Sequence, residues 1–175
     1  MFNIATTYNW GNANTYFKPT LGYSLFSDST AASVSSFDMI QGGLGDCWLI
    51  AAIASVATDK NDLYKIFNQK VMNNAGIYSL NLWSSLGVPV TVVVDDYFPL
   101  TSSNYPAFAK YSPEKEIWPM LLEKAVSKLI GNYDMTASGT PNDGMMMLTG
   151  GPGFWYLNSS KTALLIHADI VNFIT

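Results

Sequence analysis

Apolar positions along the chain fall into separate blocks with different periods. The run Trp48-Leu49-Ile50-Ala51-Ala52-Ile53-Ala54 is apolar almost all round, which predicts a helix over 46–57 that is buried on most sides. Leu63, Ile66 and Phe67 share one helical face and predict a second helix over 62–68. Ile77, Tyr78, Leu80 and Leu82 alternate imperfectly up to Trp83, and 88–94 is β-branched. Ser84-Ser85-Leu86-Gly87 lies between them, so 77–94 reads as a β-hairpin. Asp95-Asp96 closes the returning strand, and Pro99 argues against its simple continuation. Trp118, Leu121, Leu122, Ala125, Leu129 and Ile130 recur at helical spacing, with Glu123, Lys124, Ser127 and Lys128 opposite. Pro119 is tolerated only in a first turn, so this helix starts near Ile117, and Gly131 stops it. A last helix is predicted over 162–174.

Between these blocks the pattern is irregular. Residues 1–37 are rich in Asn, Thr, Ser, Tyr and Gly without a clear period, and 100–113 reads as a loop. Small and turn-forming residues over 137–144 read as a hinge. Met145-Met146-Met147 is most simply core filling. The class is α+β: a central buried helix, further helices and a small antiparallel hairpin.

Composition narrows the function. With 175 residues and 49% apolar content, the chain holds enough for one ordinary core and a stub of a second. Charged residues make up 13%, which argues against disorder. The net charge is −4, and all nine basic residues are Lys. The absence of clustered Arg argues against a nucleic-acid partner. The first residues lack the basic and apolar regions of a signal peptide. The longest apolar runs, near 48–54 and 163–171, are too short or interrupted to span a bilayer, so no transmembrane segment is expected. One cysteine cannot form an internal disulfide, which fits a reducing, cytoplasmic compartment.

That cysteine carries the candidate chemistry. Gly42, Gly43 and Gly45 make a flexible approach to the predicted buried helix. Asp46 is expected to cap that helix by accepting a backbone N–H. Cys47 then falls in the first turn, where unpaired N–H groups and the positive end of the helix dipole favour a thiolate. Gln41 lies six positions before Cys47, and its amide can donate to the oxyanion formed when a thiolate attacks a carbonyl. The bland alternative is a small buried hydrophobe at 47 and a surface loop residue at 41. Gln six positions before Cys-Trp, followed by a buried helix, is however the spacing of a thiol protease nucleophile segment.

The string QGGLGDCWLIAAIAS resembles the calpain family more closely than papain itself, because Gly-Asp-Cys-Trp stands where papain-type enzymes show Gly-Ser-Cys-Trp. Tyr16-Phe17-Lys18-Pro19-Thr20, the hairpin, EIWPMLLEKAVSKLIGNY and the run 145–151 are also similar to calpain segments, so the resemblance covers roughly 16–166. It implies a papain-like core of two lobes, the first carrying Cys and the oxyanion Gln, the second His and Asn. Cys47 is then the nucleophile, Gln41 and the Cys47 N–H bind the oxyanion, and Gly139 lines the cleft and meets the backbone of a protein or peptide substrate. Residues 1–140 correspond to the first lobe and 141–175 to the start of the second. His167 is the only histidine. Its setting does not resemble the family's Gly-His-Ala-Tyr strand, so it reads as an ordinary helix residue. The site needs a second lobe that supplies the base.

The resemblance also implies calcium. Asp38 matches a ligand in the loop before the nucleophile, and Glu116 one before the Trp-bearing helix; hard oxygens suit Ca²⁺. Each also has an ordinary reading, as a turn residue and a first-turn helix acid. Family members use an Arg of this loop to couple calcium to lobe closure, and Ser36 stands in that neighbourhood here. The expected activity is calcium-dependent endopeptidase chemistry through a thioester. The alternative is a non-catalytic calcium-binding or protein-binding module.

Overall fold

The computed structural model describes residues 8–151, so the helix expected over 162–174 and His167 lie outside the described residues. The elements run β1 (Asn9–Asn12), α1 (Ala13–Tyr16), α2 (Cys47–Val56), α3 (Lys60–Ile66), β2 (Ile77–Trp83), β3 (Pro89–Asp95), β4 (Tyr97–Leu100), α4 (Trp118–Ile130) and α5 (Pro141–Thr149), with short 3-10 turns between them. This is a mixed α+β arrangement with two small antiparallel sheets.

The helix α2 is the centre. Trp48, Leu49, Ala52, Ile53 and Val56 are buried, and each fully buried Leu or Ile contributes roughly 1.5–3 kcal/mol. The expectation of burial on most sides needs one correction. Cys47, Ala51 and Ser55, spaced by one helical turn, form an exposed stripe. On its other faces α2 meets α3, α5 and the 3-10 turn Ser36–Asp38.

The hairpin forms as expected. Ile77 pairs with Asp95 and Trp83 with Pro89. Tyr78, Leu80, Leu82, Val92 and Val94 point inward, and α4 covers that face with Trp118, Leu121, Leu122 and Ala125. Gly87 takes the left-handed conformation at φ 72° in the turn. On the outer side of α4 the lysines reach back to the sheet edge. Lys124 donates to the Tyr97 carbonyl and pairs with Asp95 at 2.5 Å, and Lys128 donates to the Val93 carbonyl at 2.6 Å.

Several expectations shift. After Asp96 the chain does not extend β3 but opens β4, which contains Pro99, paired with Trp10 in a separate sheet. A two-stranded ribbon leaves each strand a free edge, where a missing N–H is tolerated. Its partner β1 lies in the stretch read as irregular. Helix α3 starts two residues early because Asp59 caps it, accepting from the N–H groups of Asn61 and Asp62 at 3.1 and 3.3 Å. The stretch read as a hinge holds the start of a helix. Thr140 and Asp143 form a reciprocal capping box, Pro141 occupies the first turn, and Gly150 closes α5 at φ 73°. That helix packs on α2, with Gly144 against Ala52 and Trp48. Of the Met triplet, Met147 is buried and the other two are half-buried.

Candidate active site

Cys47 is a free thiol, exposed, and the first residue of α2. The rigidity of its mount comes from the residue after it. Trp48 is buried and its Nε1–H donates to the Thr136 carbonyl at 2.8 Å. Gly139 lies flat against that indole; a Cβ there would stand 2.5 Å from Trp48 Cε2. Gly139 and Trp48 form part of the wall of a cleft of about 370 Å³, together with Ser138, Met135, Asp143 and Met146. Cys47 is not among the residues lining it.

The approach loop is held by backbone contacts, and at Gly42 only glycine fits. Gly43 donates to the Ala107 carbonyl at 2.8 Å, and a Cβ on Gly42 would fall 2.0 Å from the Phe108 carbonyl oxygen. Lys110 donates to the Ile40 carbonyl at 3.0 Å. Leu44, Ala107, Phe108 and Tyr133 form a small second core beside it, with Phe108 and Tyr133 ring centres 4.9 Å apart. Gln41 is exposed, and its Nε2 donates to the Leu44 carbonyl at 2.8 Å. One amide N–H therefore folds the loop back on itself; a primary amide has a second.

Asp46 does not do what the sequence led us to expect. Its side chain makes no cap bond to α2. It is fully buried, and neither carboxylate oxygen has a hydrogen-bond donor. Burial pushes it above the ordinary carboxylate range. Glu123, placed by periodicity on the polar side of α4, is buried instead, and its Oε1 accepts from the Ala109 N–H at 2.9 Å. Burial, with the Asp46 charge adding to it, holds Glu123 well above its usual range. Ser127, one turn on, is also buried, with no partner for its hydroxyl. No local signal marked these residues, because their burial depends on α4 meeting the nucleophile loop.

Asp38 and Glu116 come together as a second, separate pair of buried acids. Asp38 accepts from the Ser35 N–H at 2.7 Å. Glu116 accepts from the Ser27 N–H at 2.6 Å and from Trp118 Nε1–H at 3.1 Å. Burial pushes Asp38 up to about 6, opposed by the Ser35 bond and helped by the charges of Glu116 and Glu114. Among the described residues, no three His, Cys, Asp or Glu side chains converge. No helix among them is long and apolar enough to cross a membrane.

An exposed thiol on a buried helix, entered through a Gln-Gly-Gly loop, is cysteine-protease architecture, and comparison with known proteins agrees. The chain belongs to the calpain family of cysteine proteases, whose family model matches residues 8–171. It is similar to the calpain-type cysteine protease DEK1 of Zea mays, 40% identical over 123 residues, covering 70% of this chain and 6% of that protein. It is 39% identical over 122 residues to the human calpain-1 catalytic subunit and 41% identical over 122 residues to mouse calpain-8. Each of these alignments covers 68% of this chain and 17% of the relative. The chain thus spans a small part of the curated relatives it matches.

Proposed function

We propose that this chain is the nucleophile-bearing lobe of a calpain-type cysteine endopeptidase acting on protein or peptide substrates in the cytoplasm. The observation that carries the reading is the exposed Cys47 thiol at the first position of a helix whose remaining faces are packed. Attack of the thiolate on a peptide carbonyl gives a tetrahedral oxyanion. The Cys47 N–H and the Gln41 amide donate to it. Collapse expels the amine and leaves a thioester on Cys47, and water then releases the acid. An imidazole must take the thiol proton and return it to the leaving amine. We assign that base to a second lobe with His and Asn, with residues 1–140 forming the first lobe and 141–175 opening the second. The cleft wall at Gly139 and Trp48 is where substrate backbone would lie.

Asp38 and Glu116 fit a hard divalent cation. Burial raises Asp38 and the Glu116 charge adds to it; a cation would relieve both, and the carboxylate oxygens suit Ca²⁺. Carbonyls and water would complete the shell. The ion's contribution would be to fix the nucleophile loop relative to the start of α4.

A second reading, a calcium- or protein-binding module without catalysis, is favoured by the Gln41 amide, which already donates to Leu44. Capture of Cys47 by a peptidyl epoxide separates the two. In the catalytic reading the peptidyl reagent reacts faster than a non-peptidyl one of equal intrinsic reactivity, and Gln41→Ala reduces that preference. Equal rates for both reagents would favour the module.

A further inference from the structure

Two carboxyl groups are buried directly behind the nucleophile, and no cation accompanies them. Asp46 sits one residue before Cys47, fully buried, with both oxygens lacking a donor. Glu123 on α4 is 2% exposed and near enough to feel the Asp46 charge. One Glu123 oxygen is tied to the Ala109 N–H. The ion pairs among the described residues are Lys65 with Asp62 and Lys124 with Asp95, both elsewhere. Two buried, unpaired negative charges side by side would be strongly unfavourable. A single proton resolves both problems, because a protonated Glu123 supplies the donor that Asp46 lacks. This is the like-charge arrangement in which one acid of a pair stays neutral.

We propose that Asp46 and Glu123 share one proton as a buried carboxyl–carboxylate pair, and that Glu123 is thereby a positioning residue that locks the Cys47 turn onto α4. The other ionisable groups near the pair are Tyr133, buried in the neighbouring small core, and Cys47 at the open edge. Tyr133 is held well above its ordinary range by burial and by the charges of Glu123, Asp95 and Asp46, so it stays neutral. Ser127, with its hydroxyl buried on the next turn of α4, adds a neutral polar group. The pair extends the proposed protease reading, in that its functional consequence requires Cys47 to be the nucleophile; its existence does not.

The test uses the 175-residue chain with Glu123→Gln and Glu123→Leu. Gln imitates the protonated acid: its oxygen accepts from Ala109 and its NH₂ donates to Asp46. Leu can do neither. Infrared difference spectra at neutral pH in deuterated buffer should show a protonated carboxylic-acid C=O band in the native chain that is absent in Glu123→Gln. No such band in the native chain overturns the shared proton. Glu123→Gln should keep the unfolding equilibrium within about threefold of the native chain, whereas Glu123→Leu should raise it roughly 10- to 100-fold by orphaning buried polar groups. The readout for positioning is the ratio of Cys47 capture by a peptidyl epoxide to capture by iodoacetamide. Glu123→Gln should keep it, and Glu123→Leu should lower it roughly tenfold or more through misplacement of the thiol. A folded Glu123→Leu with an unchanged ratio overturns the positioning role. If the native chain, complemented with a calpain lobe that carries the His and Asn, shows no preference for the peptidyl reagent, the protease reading fails while the infrared band still decides the proton.

Discussion

Replacing Gly139 by Ala probes the contact that sets the nucleophile helix. The added Cβ would lie 2.5, 2.7 and 2.8 Å from three atoms of the Trp48 indole, against an ordinary carbon–carbon contact of about 3.5–4.0 Å. The overlap is about 1 Å. The indole cannot slide away at low cost. Its Nε1–H is bound to Thr136 at 2.8 Å, and on its other edge Gly144 leaves only enough room for a Cβ at 3.5 Å. Forced overpacking of this kind costs about 1–3 kcal/mol. In a chain of this size that lowers the melting temperature by about 2–12 °C. Calorimetry, with tryptophan fluorescence as a second probe, measures it. Shrinking the obstacle should restore part of the loss, so Gly139→Ala combined with Trp48→Phe should cost less than the sum of the single changes. A Gly139→Ala chain within about 0.5 kcal/mol of the original would refute the packing argument. It would leave Gly139 with only the substrate-lining role that the family resemblance implies.

Other outcomes follow from the same geometry. Gly42→Ala should destabilise far more than Gly43→Ala, since the first places a Cβ 2.0 Å from a backbone oxygen and the second 3.3 Å; equal melting points would contradict the docking of the approach loop on 107–108. Asp38 is raised to about 6 from an unfolded value of about 3.9. The folded state thus binds this proton more tightly, and the associated stability is present below about pH 4 and lost as pH rises through 6. Denaturant titrations should show the native chain losing stability relative to Asp38→Asn over that range, and parallel curves would count against the burial of Asp38. Millimolar calcium should raise the melting temperature, more near neutral pH than at about pH 5 where the proton competes; no shift at either pH would remove Asp38 and Glu116 as ligands.

What could be read from the residues was whatever depends on local period. Helix α2, the hairpin and α4 each carry their burial pattern within one continuous stretch, and the Gln-to-Cys spacing marks the nucleophile segment. What depends on distant partners was not legible. Strand β1 has no alternation in Asn-Trp-Gly-Asn and exists because β4 pairs with it. Glu123 follows a helical period that assigns it to the polar side, yet the nucleophile loop covers it. Asp46 has the residue type of an N-cap, but its side chain is fully buried and makes no bond to the helix end. Helix α5 is a different kind of miss. Thr140, Pro141, Asp143 and Gly150 are start and stop signals in the sequence itself, outweighed in our reading by the small residues around them.

The most direct measurement is hydrolysis of a peptide amide by this chain complemented with a calpain lobe that carries the His and Asn. With the lobe bound and calcium present, the account predicts turnover through an acyl-enzyme that intact-mass analysis places on Cys47, abolished by Cys47→Ala. Binding of the lobe without turnover, or turnover that survives Cys47→Ala, would contradict it.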